Sequence, residues 1–435
     1  MLSQTGHKQS DGLFSKAIVS FFLVCSLFIS LRAILIEGRY SSSMGEYVFS
    51  AIPEILELIL AVWMMSLFFR NRKEIRMQRF DYLIIGYMLL NIVLGCILSA
   101  DVKLSLYGFR QTYLPMFFYF FARVGLNSNT EVQSKVLERI NTWFAIVGVA
   151  GLLLYFLFPG FSSFMIIRAG GVINYYYILR MGSIFWTPVV FSAFMCAFGL
   201  YNFILFLRNG GIKTHVILLV FEVCLFLSVS RGGIISYLIG VVILTIAYKQ
   251  YKKSLLNIGV LTVILVFIFG ILLKDHFKTV GFIFHSTKDL LGQSFKQNEH
   301  SGINRLQLWI NSLSIFVAHP MGLGLGRAGH VAVRFAKEYK ENISVYSTDG
   351  WYLKLANETG VIGLVSYAVI FWMSFKMLYK TRVKGNEPMF FWILFVAVAT
   401  QNIVSNVLDF YLFAQFYWLV IGLAVNYSQK YHAVE

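Results

Sequence analysis

Apolar residues in this chain fall in long unbroken blocks, separated by short polar and basic stretches. A helix needs roughly 20 mostly apolar residues to cross about 30 Å of hydrocarbon. On that rule about twelve segments read as spans, near 17–36, 48–69, 80–99, 106–123, 140–158, 183–207, 214–230, 233–248, 255–273, 352–375, 389–407 and 410–427. Arg110 and Pro115 interrupt the fourth. The seventh and eighth predict a tight hairpin, turned at Ser230-Arg231-Gly232-Gly233. The first block lacks a small-residue cleavage site and reads as a retained helix. The expected fold is therefore all-α: a polytopic integral membrane protein with about 12 transmembrane helices.

Composition agrees. Of 435 residues, 58% are apolar and 13% are charged, about half the charged share of a soluble domain. The net charge of +16 would suit nucleic acid, but the lysines and arginines sit in short loops between spans. That is a topology signal, not a basic groove. One alternating set of loops is strongly basic: Arg70, Arg72, Lys73, Arg76 and Arg79, then Lys249, Lys252 and Lys253, then Lys376, Lys380, Arg382 and Lys384. With the tails and the loops near 123–139 and 208–213, that side holds roughly 20 basic residues, against about seven on the other. Both termini are expected in the cytoplasm.

Residues 274–351 stand apart as one long, polar, extracytoplasmic loop, which divides the chain into spans 1–273, the loop, and spans 352–435 with a cytoplasmic tail. The loop holds five of the eight histidines, His276, His285, His300, His319 and His330. A loop of this size is functional or disordered. Leu306, Trp309, Ile310, Leu313 and Phe316 recur at helical spacing, so 303–317 predicts a helix within it.

Cys25, Cys96, Cys196 and Cys224 lie in apolar blocks without metal-like spacing and read as packing residues. No metal or cofactor is expected. The short outer loops carry mostly arginine, where the charge rule disfavours it: Arg39, Arg110, Arg168, Arg180 and Arg231. Arginine offers phosphate a planar fork of donors and stays protonated. Arg39 and Arg168 read as residues that reach headgroups or pair with acids. Arg110, Arg180 and Arg231 read as functional. Arg231 is the strongest case, at a hairpin tip with two glycines behind it and a helix N-terminus beside it.

Glu54, Glu57 and Glu222 lie at or near membrane depth and read as partners for those arginines. The run His319-Pro320-Met321-Gly322-Leu323-Gly324-Leu325-Gly326-Arg327-Ala328-Gly329 is neither a P-loop nor a dinucleotide fingerprint. Such glycine-rich turns are more often plain connectors. Asp349 is the acid nearest the membrane entry after the loop. It suits either proton transfer with a sugar hydroxyl or capping of the next helix, and capping is the more economical reading.

These pieces occur in an order that resembles the O-antigen polymerase and O-antigen ligase superfamily. The segments are Ser230-Arg231-Gly232-Gly233 after a span, Asn304-Arg305-Leu306 with Trp309, His319-Pro320 with Gly322, Gly324 and Gly326, and Asp349 to Leu353 with Glu358, Gly360 and Gly363. Tyr107 to Gln111 and Arg180 to Ser183 also look like family segments, so the resemblance covers roughly 100–365. It implies a GT-C-like membrane glycosyltransferase of a bacterial inner membrane. Its expected partner is an undecaprenyl-diphosphate-linked oligosaccharide among membrane lipids, with a chain-length regulator as a further candidate. Arg231, Arg110, Arg180 and Arg327 would hold the diphosphate. Arg305 would sit beside the reaction with Arg231, Asp349 would be the base, and His319 and Glu358 are further candidates. Ligases of the family tend to carry a His-Asn pair where this chain reads Thr348-Asp349-Gly350, which favours a polymerase. The rival readings are a ligase, and a flippase or transporter of the same lipid-linked sugar. Transporters often show two similar halves, which this sequence does not.

Overall fold

The computed structural model describes residues 2–35, 44–70, 77–99, 101–126, 130–160, 174–175, 178–185, 187–272, 303–329 and 348–432. Among them the helices run α1 Leu2–Leu35, α2 Met44–Arg70, α3 Arg79–Leu98, α4 Val102–Thr112, α5 Phe117–Gly125, α6 Thr130–Leu157 and α7 Pro188–Asn209. They continue as α8 Ile212–Leu227, α9 Arg231–Tyr248, α10 Tyr251–Leu272, α11 Ile303–Ala318, α12 Trp351–Thr381, α13 Asn386–Val404 and α14 Phe413–His432. Among the described residues, strand occurs as a two-residue antiparallel pairing of Asn174–Tyr175 with Ile178–Leu179.

Each predicted apolar segment coincides with helix. The fourth is two short helices, α4 and α5, because Pro115 sits in the 3-10 turn between them. Among the described residues, seven helices are long and apolar enough to cross a membrane: α3, α6, α7, α9, α10, α12 and α13. α11 fills the stretch of the long loop whose spacing predicted a helix.

α7 is the axis of the bundle. It is apolar on every face, as a helix enclosed by others must be, and its most apolar window is 89% buried, against 17% for peripheral α10. Phenylalanines stack along it: Phe194 lies 4.1 Å from Phe144 of α6 and 5.9 Å from Phe416 of α14, ring centre to ring centre. Cys25, Cys196 and Cys224 are buried, as packing residues would be.

The hairpin between α8 and α9 corrects the sequence expectation. Ser228 and Val229 make the turn, with Val229 at φ 49°. Arg231, Gly232 and Gly233 already belong to the first turn of α9. Their glycines therefore serve helix contact rather than turning: a β-carbon at Gly233 would stand 2.9 Å from Ser192 Oγ of α7.

The decisive irregularity is in α12. Gly360 has φ 65° and ψ −159° and breaks the helix, leaving a half-helix Trp351–Thr359. Breaking a helix inside a membrane frees backbone groups that must find partners. The glycine-rich segment supplies them. Leu323 N–H donates to Asn357 O at 2.8 Å, Gly324 N–H to Glu358 O at 3.0 Å, and Val361 N–H to Pro320 O at 2.9 Å. The run is thus no plain connector; it replaces the missing turn of α12. Only glycine fits there, because Gly326 has φ 80° and a β-carbon on it would enter Leu104 O of α4.

Candidate functional site

The site lies where the half-helix of α12, the glycine-rich segment, α4 and the chain after α13 meet. Glu358 is buried on the half-helix, and its Oε1 accepts from Gly326 N–H at 2.9 Å and Ala328 N–H at 3.4 Å. Two backbone N–H groups aimed at one carboxylate oxygen hold it as an anion. One helical turn earlier, Lys354 points the same way. Its Nζ lies 3.8 Å from Glu358 Oε2, 2.6 Å from Asp409 Oδ1 and 3.1 Å from Thr112 Oγ1 of α4. These three charged groups are all buried. Enclosed charges persist only when paired and hydrogen-bonded, so the half-helix, the glycine run and the segment after α13 are held to one another through Lys354.

Lys354 and Asp409 were not singled out from the sequence. The signal was there: a lysine one turn before Glu358 in an apolar span, and an aspartate in a gap between two spans. Both are the kind of intramembrane charge that marks function.

Asp349 is buried just before the half-helix. The cap position itself belongs to Gly350, at φ 105°, with no side-chain cap. The capping reading of Asp349 is therefore corrected: the acid stands one residue outside the cap. Its turn is fixed from α13. Asn406 Nδ2 donates to Thr348 O at 3.0 Å, and a β-carbon on Gly350 would stand 2.8 Å from Ile403 O.

Arg231 is exposed at the first position of α9. Its neighbour Gly232 rests on the same end of α13, where a β-carbon would lie 3.1 Å from Val404 and 3.5 Å from Gln401. The turns bearing Arg231 and Asp349 thus share one support. Arg180 joins them, because its Nε donates to Ser228 O at 3.1 Å while Met181 N–H donates to Leu227 O at 3.0 Å. That closes the carbonyl end of α8.

Arg110 sits half-buried in the last turn of α4. α4 reaches the glycine run at Gly108, where a β-carbon would enter Gly326 N. Arg327 lies between the two N–H groups that hold Glu358, and its own Nε is buried without a hydrogen-bond partner. His319 is exposed at the end of α11, apart from the buried charges. The side chain of Arg305 lies outside the described residues, as do Arg39, Arg168, His276, His285, His300, His330 and the side chain of Glu54.

One of the remaining acids, Glu222, does not follow the sequence reading. Glu222 accepts from Tyr237 OH at 2.5 Å and Asn257 Nδ2 at 2.7 Å rather than from an arginine. It ties α8 to α9 and α10. Glu57 accepts from Tyr411 OH and Gln415 Nε2, each at 3.4 Å.

The architecture defines a polytopic helical membrane protein with a broken helix and a charged, glycine-wrapped site. Residues 215–368 match the model of the Wzy_C family, described as O-antigen ligase. An O-antigen polymerase of Salmonella muenchen is 25% identical over 221 residues, covering 48% of this chain and 51% of that protein. The chain thus spans about half the length of the curated relative it matches. Both findings support the O-antigen polymerase and ligase superfamily, and with the apolar helices they support a multi-pass protein of a bacterial inner membrane. The family match contains Arg231, Arg305, His319, Arg327, Asp349 and Glu358, and leaves Arg110 and Arg180 outside.

Proposed function

We propose that this protein is a metal-independent polysaccharide polymerase. It transfers an undecaprenyl-diphosphate-linked glycan onto a second lipid-linked repeat unit at the outer leaflet, extending O-antigen, capsule or exopolysaccharide. The observation that carries this reading is the common seat of Arg231 and Asp349 on the end of α13. An acceptor hydroxyl attacks the anomeric carbon and passes its proton to Asp349. The bond from that carbon to the phosphate oxygen breaks, and its electron pair leaves with the diphosphate. Negative charge grows on the leaving group, and fixed guanidiniums stabilise it there. Arg231, at the start of α9, and Arg180, bonded to Ser228 O in the turn before it, are the first pair for this work. Arg327 adds a buried N–H in want of an acceptor, and Arg110 and Arg305 complete the proposed set. Glu358 and Lys354 hold the scaffold on which these residues stand.

The test is polymerisation of a defined lipid-linked repeat by purified protein. Arg231 is exposed, so Arg231→Ala should leave membrane insertion intact and abolish long-chain polymer. Wild-type chain lengths in that variant would remove Arg231 from the mechanism. Activity should also persist in EDTA, and a loss restored by a divalent ion would refute metal independence.

The description of the matching family favours a second reading, a ligase that passes finished glycan to another acceptor. A ladder of products formed from the lipid-linked repeat alone distinguishes the polymerase from it.

A further inference from the structure

The end of α13 holds a feature that the charged groups do not use. Gln401, Asn402, Asn406 and Thr348 are all at least nine-tenths buried. Between them they leave five polar atoms with no hydrogen-bond partner: Gln401 Nε2, Asn402 Nδ2 and Oδ1, Asn406 Oδ1 and Thr348 Oγ1. Buried polar groups are nearly always satisfied, and an orphan one costs about 1–3 kcal/mol. Five at one helix end, within a stretch that also seats Asp349, point to a ligand that completes them.

The chemistry narrows the ligand. None of the four side chains is charged, so they are not built for phosphate. Between them they offer both donors and acceptors, as sugar hydroxyls or an acetamido group require. Gln401 lies against Gly232, on the Arg231 side. Asn406 is bonded to Thr348 O, on the Asp349 side. The amides thus run between the residues proposed to hold diphosphate and the proposed base. An uncharged sugar ring attached to that diphosphate belongs in this interval.

We propose that Gln401, Asn402, Asn406 and Thr348 form a sugar-recognition subsite for the first residues of the lipid-linked repeat, and that they set which repeat is accepted. The inference rests on the lipid-diphosphate donor reading.

The test compares two probes on full-length protein in nanodiscs: bare undecaprenyl diphosphate, and the host's own lipid-linked repeat extracted from a strain lacking this gene. Asn402→Leu and Gln401→Leu keep side-chain volume and remove the amide. Each should cut the preference for the glycosylated lipid by about tenfold, the effect of a lost buried hydrogen-bonding group on discrimination, while binding of the bare lipid stays the same. An unchanged preference overturns the subsite and leaves the amides to water. Thermal unfolding of the sugar-free protein supplies the second measurement. Removing an unsatisfied amide should hold or raise Tm, and a fall of several degrees in both variants would mark the amides as structural and overturn the proposal. Wild-type protein that binds neither lipid overturns the donor reading itself, and the subsite with it.

Discussion

The two ends of α3 carry two kinds of buried charge. Near its start, Asp81 accepts from Arg123 Nε and Nη2 at 2.8 Å each, from Gln78 N–H at 2.6 Å, and from Tyr119 OH. Arg123 also donates to Asn426, whose own Nδ2 donates to Ala122 O at 2.9 Å. At its far end, about 20 Å away at 1.5 Å per residue, Gly95 and Ser99 support the glycine run that wraps Glu358. Around that run lie amides with orphan atoms, a half-buried arginine with an orphan N–H, and a broken helix. The first cluster has its partners built in and locks α3, α5 and α14 together. The second has an unfinished hydrogen-bond inventory, which suits the proposed substrate site. Charge inside a membrane does not by itself mark a reaction site.

That contrast can be broken by substitution. The largest effect is expected for Asp81→Ala, which leaves the enclosed Arg123 without its carboxylate. Removing one partner of a buried pair costs about 3–5 kcal/mol, so the variant should show a sharply lower Tm in detergent and poor recovery from membranes. A Tm within a degree of wild type would deny the cluster its locking role. Lys354→Met comes next. It strips the ammonium from Glu358 and Asp409, and a loss of about 3 kcal/mol is expected. Glu358 keeps two backbone N–H donors, so the loss should fall below that of Asp81→Ala. A loss as large or larger would mean that the site end is as much a lock as the other. Gly326→Ala should cost about 1–3 kcal/mol through its φ and its clash with Leu104 O. It should also shorten polymer more than its stability loss explains, since the segment sets where Arg327 and Glu358 stand. Polymer length plotted against folded fraction checks this, and a variant that falls on the line of purely destabilised ones would limit the glycine run to structure.

Much of the fold was legible because a bilayer asks little of a sequence beyond length and apolarity. The twelve apolar blocks were readable from length and apolarity, and α11 from helical spacing. The break in the fourth block could be read from Pro115. The turn of the α8–α9 hairpin could not, because Arg231-Gly232-Gly233 suits a turn and a tightly packed helix start equally well. The role of Glu222 was unreadable for a similar reason. An acid at membrane depth needs a donor, but only packing decides whether that donor is an arginine or, as here, Tyr237 and Asn257. In the site, the glycine run 322–329 read as a plain connector, and nothing in its spacing showed that it replaces a missing turn of a helix thirty residues later. Lys354 and Asp409 are 55 residues apart, and no local pattern joins them.

By itself, then, the sequence determined that this chain folds as helices in a membrane, because the hydrophobic cost of exposing such blocks leaves no other outcome. It also supplied the arginines and acids in the order that the family resemblance needs. Only the tertiary structure decided which of them meet. It broke α12 at Gly360, wrapped Glu358 in backbone N–H groups, and set Arg231 and Asp349 on one helix end. Those outcomes depend on satisfying buried polar groups across distant segments, and that requirement acts in three dimensions rather than along the chain.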